Sequence, residues 1–388
     1  MVARHILTFA QAPDTGGVER AQRRLCAAWA EAGRRVTLVL GRAGSGFAPP
    51  CGVDLVELGS TDFLELRRLS SVVRALAPDL VFCPGNHYTS MAALLRLRLG
   101  RDRPPIVAKM SNAPRRGDHG AVVDRLHALW LRAHGGFLDH VVGMTPATAA
   151  QADRALGMDG RVSVIANPPA RPDPHAPPVP LPPGRFILGV GRLVEQKRWD
   201  RLVDALPRLA DQGVRLVLLG EGPERAALER RARDLGVAGR VSLPGHVPCP
   251  LPAMRRAALV ALPSDFEGVP GVLREALSVG TPVVATNSSP AIREIVADAL
   301  LGDVVPRGDT DALLAALERR LRPDAPRPAP VPQPGEDAAE RYLELFDRLV
   351  AARATAGRHP GLIPGSVIVR ALTSGGANRP MDPGTSSG

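Results

Sequence analysis

Several kinds of residue and pattern are scarce in this chain of 388 residues, and each shortage excludes a class of protein. No run of about 18 uncharged apolar residues is present, which excludes a membrane-spanning helix. The apolar run near the N-terminus is too short for a secretory signal and is typical of a strand. The four cysteines have neither metal-binding spacing nor a disulfide framework, so we expect a reducing, cytoplasmic location.

Aromatic residues make up only 3% of the chain and no nucleic-acid-binding module is recognisable, so we expect no nucleic-acid partner. Lysine is almost absent, because the 49 basic residues include only Lys109 and Lys197. In a chain that uses arginine by default, a lysine indicates a position where a compact ammonium group is needed. The alternative is that both lysines are accidental.

The net charge of +10 is unevenly distributed along the chain. Residues 1–170 carry 21 basic and 14 acidic side chains, whereas residues 171–334 carry 22 and 19. A basic first half indicates an anionic partner such as a phospholipid surface. The alternative is a genome that favours arginine codons, with no functional meaning.

Short apolar segments typical of strands alternate with helix-like segments over residues 5–167, and the alternation resumes at residue 185. This pattern predicts an α/β fold of two doubly wound, Rossmann-like domains whose parallel sheets face each other across a cleft. Ligands of such sheets bind beyond the carboxyl ends of the strands. The predicted divisions are an N-terminal domain (1–167), a proline-rich linker (168–184), a C-terminal domain (185–322), a second proline-rich linker (323–334), a C-terminal helix (335–355) and a partly disordered tail (356–388).

Two glycine-containing loops follow predicted strands and open helices. In "DTGGVER", Gly16 and Gly17 let the backbone approach a ligand, and the helix start behind them favours an anion. In "GVGRLVEQKRWD", Arg192 and Lys197 lie five positions apart, and a diphosphate is bound well by one forked and one compact cation. Each loop alone is also compatible with an ordinary turn or a charged surface.

The segment "SDFEGVPGVLREAL" carries Glu267 before a glycine-rich helix start and Glu275 inside the helix. The amides from Gly268 to Val272 point toward an anion at that helix start. Glu275 lies eight positions after Glu267, which is about 12 Å along a helix axis. An elongated ligand with an anionic centre and a hydroxyl-bearing group at each end fits this spacing, and a nucleotide-sugar has that layout.

These motifs together resemble the retaining family 4 glycosyltransferases of the GT-B fold, over roughly residues 3–350. The resemblance depends on "GGVE", "VIANPP", "GVGRLVEQKRWDRLVDAL", "LVLLGEGPER", "VSLPGHV" and "SDFEGVPGVLREALSVGTPVVAT". It implies an acceptor-side N-terminal domain and a nucleotide-sugar-binding C-terminal domain. It also implies transfer with retention of configuration, no metal ion, and no cofactor besides a UDP- or GDP-sugar as co-substrate.

The resemblance also implies roles for individual residues. Glu267 would hydrogen-bond the transferred hexose and would form the catalytic set with Arg192 and Lys197, which hold the diphosphate. Glu275 would hold the ribose hydroxyls. The implied donor-binding residues are Gly16, Gly17, Arg192, Lys197, Gly245, His246, Val247, Glu267, Gly268, Val269, Pro270, Gly271 and Glu275.

One position departs from the pattern of the family. Many relatives carry a histidine at the end of the strand that matches "PPIVAKMSN", where this chain has Ser111 followed by Asn112. His87 and His119 do not align with that position, so no histidine base is assigned. In the front-face mechanism usually proposed for the family, the leaving phosphate itself accepts the acceptor's proton. Lys109, Ser111 and Asn112 are candidate contacts to the donor sugar or the acceptor, and ordinary strand-end polar residues are the alternative.

The sequence therefore predicts a hexosyl- or N-acetylhexosaminyltransferase that acts on a glycan, lipid-linked or small-molecule acceptor in polysaccharide or cell-envelope biosynthesis. The alternatives are a nucleotide-sugar epimerase, an inverting GT-B transferase, or a non-catalytic sugar-nucleotide-binding protein. The segment 91–104 combines leucines with four arginines and is a candidate for peripheral contact with the anionic inner face of the membrane. A helix packed on the sheet is the alternative reading of that segment.

Overall fold

The structure is a computed structural model that describes residues 1–13, 16–44, 46–112, 121–172 and 177–355. Within these residues the chain forms one sheet of seven strands and a second sheet of six. Every strand pair in both sheets is parallel. The predicted fold class of two doubly wound α/β domains is confirmed, whereas the predicted tail at 356–388 lies outside the described residues.

The first domain contains the seven-stranded sheet, in the order β3-β2-β1-β4-β5-β6-β7. Its strands are β1 His5–Ala10, β2 Arg35–Leu40, β3 Val53–Glu57, β4 Leu80–Cys83, β5 Ile106–Lys109, β6 His140–Gly143 and β7 Val162–Val164. Its helices are α1 Gly17–Glu31, α2 Leu69–Leu76, α3 Thr89–Leu99, α4 Ala121–Ala133 and α5 Pro146–Leu156.

The second domain contains the six-stranded sheet, in the order β10-β9-β8-β11-β12-β13. Its strands are β8 Phe186–Val190, β9 Arg215–Leu219, β10 Val241–Gly245, β11 Leu259–Leu262, β12 Val283–Thr286 and β13 Gly302–Val305. Its helices are α6 Asp200–Ala205, α7 Arg225–Asp234, α8 Leu251–Arg256, α9 Gly271–Ser278, α10 Pro290–Ile295 and α11 Thr310–Leu321. One more helix follows, α12 Ala338–Thr355.

The two sheets share a feature that determines where ligands can bind. In each sheet the first strand, β1 or β8, lies between two neighbours that are reached by crossovers in opposite directions. The loops that leave β1 and β4, or β8 and β11, therefore separate and open a crevice at the carboxyl edge of the sheet. The loops that the sequence analysis singled out at residues 16–17, 192–197 and 267–271 all lie at these two crevices.

The candidate membrane segment at residues 91–104 is a packed helix and loop. Met91 and Leu95 of α3 are buried in the core of the first domain. Arg96 and Arg98 donate to the backbone carbonyls of Gly100 and Arg67, at 2.8 and 2.9 Å. The structure thus favours the alternative reading, a helix packed on the sheet. None of the described helices combines the length and apolar character that crossing a bilayer requires.

Helix α12 belongs to the core of the first domain, although it follows the second domain in sequence. Its Tyr342 and Phe346 are buried against Trp29 of α1 and Phe82 of β4, with ring centroids 5.2–6.1 Å apart. The carboxylate of its Asp347 accepts from the Ala3 amide at 2.7 Å and pairs with Arg34 at 2.9 Å. The predicted domain boundaries remain a prediction, but the chain clearly crosses between the two cores a second time.

Replacing Phe346 with alanine is expected to destabilise the protein by about 3–5 kcal/mol, because it leaves a cavity beside Trp29. The free energy of unfolding in urea measures this effect. Glu344→Ala is the matched control, since Glu344 lies exposed on the same helix and an exposed substitution changes stability by about 0.5 kcal/mol at most. Equal stabilities of the two variants would contradict a structural role for α12.

Candidate active site

An ion pair joins two loops at the crevice of the second domain. Lys197 lies in a 3-10 turn after β8, and its Nζ is 2.6 Å from Oε1 of Glu267, in the loop between β11 and α9. The Ser264 hydroxyl donates to the same carboxylate oxygen at 2.6 Å. Lys197 and Glu267 are 70 positions apart in sequence and meet because β8 and β11 are neighbours.

This ion pair holds a buried carboxylate in place. Glu267 is only 7% exposed, so its charge is removed from water and needs a positive partner and a hydroxyl donor. Removing one member of a buried pair leaves the other uncompensated, which typically costs about 3–5 kcal/mol. Lys197 therefore helps to fix the Glu267 carboxylate, and any ligand that attracts the lysine also acts on the glutamate.

Arg192 offers a second cation beside Lys197. Its side chain is exposed at the carboxyl end of β8. Within the described residues it makes no hydrogen bond or ion pair, whereas the nearby Arg198 and Arg201 are both paired with Asp265. Arg192 is thus the guanidinium of this loop that is free to bind an anion.

The start of α9 presents backbone amides next to Glu267. Pro270 occupies the cap position without a side-chain hydrogen bond, and Gly271 is exposed. A Cβ placed on Gly271 would lie 4.0 Å from Oε1 of Glu275, so the Glu275 carboxylate reaches back toward the helix start. The amides and the carboxylate form one edge of the crevice, suited to an anionic group and a hydroxyl-bearing group respectively.

Glu275 also faces the first domain. Burial raises the pKa of its carboxyl group, and the positive charges of Arg20 and Arg24 on α1 oppose that rise. Arg24 itself donates to the carbonyl of Pro168 at 3.3 Å. Both domains therefore contribute charge around Glu275, which makes it a residue of the interdomain cleft and not of one domain alone.

The two domains meet through backbone at Gly268. Asn112, after β5, forms an antiparallel bridge with Gly268. A Cβ on Gly268 would lie 1.8 Å from the carbonyl oxygen of Ser111, a distance that no side chain can occupy. Asn86 holds the opposite loop, since its Oδ1 accepts from the Ser111 hydroxyl at 3.0 Å and from the Asn112 amide at 3.1 Å.

The other predicted site residues lie as follows. Gly16 and Gly17 lead into α1, next to the buried Glu19. Gly245 ends β10 and accepts from the Gly220 amide at 2.8 Å. His246 is exposed, Val247 and Val269 are half-buried, and Pro270 is buried.

Lys109 is the predicted site residue that does not reach the cleft surface. It is 0% exposed and its Nζ donates to Oδ1 of Asn167 at 3.1 Å. Burial lowers the pKa of its ammonium group to about 8, although the nearby Glu19 carboxylate opposes the shift. Lys109 therefore lies beneath the cleft, where its contact with Asn167 can hold the surrounding residues in place.

A cavity of about 1530 Å³ adjoins the crevice of the second domain, with Arg192 in its wall. It is lined by the loops that follow β8, β11, β12 and β13, and Gln151 of the first domain is also part of its lining. Arg192, Arg293 and Arg307 make part of its wall basic. Arg192 belongs both to this cavity and to the loop that carries Lys197, so it is available to an anionic ligand in the cavity.

Sequence reasoning missed several residues of the cleft. Glu19, Arg20 and Arg24 all lie on α1, and only the glycines before them were assigned a role. Asn86 and His87 follow β4 directly, in "PGNHYTS". The sequence signal for Asn86 and His87 was their position after the strand β4. Recognising it as a site position required knowledge of the strand order, because the motif alone does not show that β4 borders the crevice.

Comparison with known proteins decides the family. The model for "Glycosyl transferase 4-like domain" matches residues 16–168, and the model for "Glycosyl transferases group 1" matches residues 184–322. Lipopolysaccharide core biosynthesis glycosyltransferase LpsD of Rhizobium meliloti is 30% identical over 310 residues, which cover 75% of this chain and 81% of LpsD. The chain belongs to the group 1 glycosyltransferases.

A second relative and a solved structure extend the comparison of this glycosyltransferase. LpsE of Rhizobium meliloti, also a lipopolysaccharide core biosynthesis glycosyltransferase, is 35% identical over 133 residues, which span 34% of this chain and 38% of LpsE. Anabaena HepE, solved in complex with UDP-glucose, has a TM-score of 0.66 at 18% identity and covers 91% of this chain and 99% of its own. At 18% identity the similarity to HepE is evidence for the fold alone, and it confirms the predicted GT-B fold.

Replacing Gly268 with alanine is expected to open the cleft, because the added Cβ overlaps the Ser111 carbonyl oxygen. Small-angle X-ray scattering should then give a larger radius of gyration for the variant than for the wild type. Gly271→Ala is the matched control in the same loop, since the nearest atom to its Cβ is 4.0 Å away. An unchanged radius of gyration for Gly268→Ala would show that the bridge between Gly268 and Asn112 does not determine how closely the two domains approach each other.

Proposed function

We propose that this glycosyltransferase moves a hexose-type sugar from a UDP- or GDP-sugar to a glycan or lipid-linked acceptor, with retention of configuration. The observation that carries the proposal is the Lys197–Glu267 contact, with Arg192 beside it and the uncapped start of α9 in the same crevice. Two cations, free amides and two carboxylates match a diphosphate that has a hydroxyl-bearing unit at each end. Relatives named for lipopolysaccharide core biosynthesis support an acceptor of the cell envelope.

The Lys197–Glu267 ion pair also indicates how the donor binds. A bound diphosphate carries more charge than a carboxylate and draws the Lys197 ammonium away from Glu267. Glu267 is then released to accept hydrogen bonds from the hexose hydroxyls, while Glu275 does the same for the ribose. The exchange keeps both buried charges paired with donors, so donor binding does not leave either of them uncompensated.

The same residues account for the chemical step. The glycosidic C1–O bond breaks and the nucleoside diphosphate leaves with a developing negative charge. Arg192, Lys197 and the amides at the start of α9 stabilise that charge, which lowers the barrier. In a front-face reaction the acceptor oxygen bonds to C1 on the side of departure, and its proton passes to the leaving phosphate. No separate base on the chain is required.

Variants of the cations and of Glu267 should separate donor binding from turnover. Arg192→Ala is expected to weaken donor binding by about tenfold, and Lys197→Ala by more because Glu267 is then unpaired. Glu267→Gln is expected to lower kcat far more than donor affinity. Thermal shifts with a panel of UDP- and GDP-sugars identify the donor first, and release of nucleoside diphosphate then measures the rate.

The control for these variants is Glu229→Gln, a half-buried glutamate on α7 that pairs with Arg225. Proton NMR of the product gives its anomeric configuration and tests retention. A Glu267→Gln variant as fast as the wild type would refute the role of that residue. A wild-type protein that binds a nucleotide-sugar but never releases nucleoside diphosphate would favour the alternative, a non-catalytic binding protein.

We also propose that the first domain contacts an anionic membrane surface through α4. The helix carries an exposed apolar stripe at helical spacing, and Arg125 and Arg132 flank the stripe. The stripe consists of Val123, Leu126, Leu129 and Trp130, which are 36–66% exposed. An apolar stripe bordered by arginines matches the interface of a bilayer that contains anionic lipids, and the basic excess of the first half of the chain adds to that attraction.

The double variant Leu126→Ser, Leu129→Ser is expected to lose most of its binding to phosphatidylcholine vesicles that contain phosphatidylglycerol, because the apolar contact is removed. Vesicle flotation measures the bound fraction. Leu97→Ser is the control, since Leu97 is exposed on α3 outside the stripe. Equal binding by all three proteins, or equal binding to vesicles of phosphatidylcholine alone, would exclude this surface.

A further inference from the structure

A carboxylate, an imidazole and a phenol meet on the first-domain side of the cleft, and none of them has a role in the proposed donor binding. Glu19 lies in the first turn of α1 and is 4% exposed. The buried Tyr88 hydroxyl donates to Oε1 of Glu19 at 3.3 Å. Nε2 of His87 lies 3.9 Å from the same oxygen. The three residues come together because the loops that follow β1 and β4 are neighbours.

The imidazole of His87 has a defined position. Its ring centroid is 3.8 Å from that of Tyr88, at an interplanar angle of 41°. A Cβ on Gly85 would lie 3.2 Å from Cε1 and Nδ1 of His87 and 2.9 Å from Oγ of Ser111, so the ring and the serine approach each other across that glycine. Ser111 precedes Asn112, which pairs with Gly268 of the second domain. His87 therefore stands beside the point where the two domains meet.

The side chain of His87 is open to the cleft and not enclosed in the core. It is 43% exposed, unlike its neighbours Glu19 and Tyr88. The guanidinium of Arg192 is near enough across the cleft for its charge to act on the ring. An exposed polar group beside the meeting point of the domains, within electrostatic reach of Arg192, is accessible to a ligand in the cleft.

Partial burial of His87 favours its neutral ring. Burial lowers the pKa of His87 below 6.5, the Glu19 carboxylate opposes this shift, and the charge of Arg192 adds to it. Lys109 lies below, and its ammonium interacts with Glu19. A neutral imidazole offers one donor and one acceptor nitrogen, which is what a sugar hydroxyl needs.

We propose that His87, oriented by Glu19, hydrogen-bonds a sugar hydroxyl at the reaction centre from the first-domain side of the cleft. His87 is a contact residue in this role, and Glu19 is a positioning residue that acts through it. The inference rests on the proposed transferase function. The hydroxyl belongs either to the transferred hexose or to the acceptor. In donor hydrolysis, a water molecule takes the place of the acceptor.

The test uses the nucleotide-sugar that gives the largest thermal shift, without an added acceptor. His87→Phe keeps an aromatic ring beside Tyr88 but removes the hydrogen bond, and it is expected to lower kcat/KM for donor hydrolysis by about tenfold. His87→Gln keeps a donor and an acceptor and should restore part of that loss. His127→Gln, an exposed histidine of α4 outside the stripe, is the control. Thermal denaturation establishes that all variants are folded.

Calorimetry separates the two sources of the hydroxyl. If His87 contacts the transferred hexose, His87→Phe binds the nucleotide-sugar more weakly but the bare nucleoside diphosphate as tightly as the wild type. If it contacts the acceptor side, both affinities stay unchanged and kcat alone falls. Unchanged kcat and unchanged affinities would overturn the inference and leave the transferase function intact. A wild-type protein that neither binds nor hydrolyses any nucleotide-sugar would overturn both.

The pH profile distinguishes orientation by Glu19 from a purely structural effect. Only the neutral imidazole accepts a hydrogen bond, so wild-type kcat/KM should fall as the pH drops through the pKa of His87. Glu19→Gln removes the charge that raises this pKa, and the acid limb should move to lower pH. The limb should be missing in His87→Phe. An acid limb at the same pH in the wild type and in Glu19→Gln would refute the positioning role of Glu19.

Discussion

A carboxylate withdrawn from water requires a positive partner, and the crevice of the second domain of this glycosyltransferase is arranged around that requirement. Glu267 is satisfied by the Lys197 ammonium and the Ser264 hydroxyl. The pair ties the loop after β8 to the loop before α9, so the free guanidinium of Arg192 and the amides at the start of α9 are held at a fixed separation. The Gln196 side chain joins the same two loops, since it donates to the Phe266 carbonyl at 2.7 Å.

The two domains also meet through a different kind of contact, between backbones. The bridge from Asn112 to Gly268 brings the domains to a distance that side chains would prevent, and Asn86 holds the first-domain loop that makes it. The residues that line the cleft then come from both crevices: Glu19 and His87 from one, Lys197 and Glu267 from the other. Each crevice exists because of the strand order, so the topology determines where the chemistry can occur.

Sequence patterns were sufficient to predict candidate site residues where these residues lie in a turn between a strand and a helix. The alternation of strand-like and helix-like segments predicted the fold class. The glycine-containing turns after β8 and β11 indicated the candidate residues Arg192, Lys197 and Glu267, because each turn joins a buried strand to a helix. The patterns did not indicate which side chains are buried. Lys109 ends a strand as a ligand-binding lysine would, yet its partner Asn167 lies 58 positions away and turns it inward. Helices α3 and α4 are similar in composition, but the apolar residues Met91 and Leu95 of α3 are buried in the core, whereas the apolar stripe of α4 is exposed.

The position of α12 has a consequence for how the chain is made. Trp29 and Phe82 belong to the first domain, but the rings of Tyr342 and Phe346 that cover them are translated only after the whole second domain. On the ribosome the second domain has all of its residues while the first still lacks part of its core. Domains usually mature in the order of synthesis, and here the last helix to emerge completes the domain that began first.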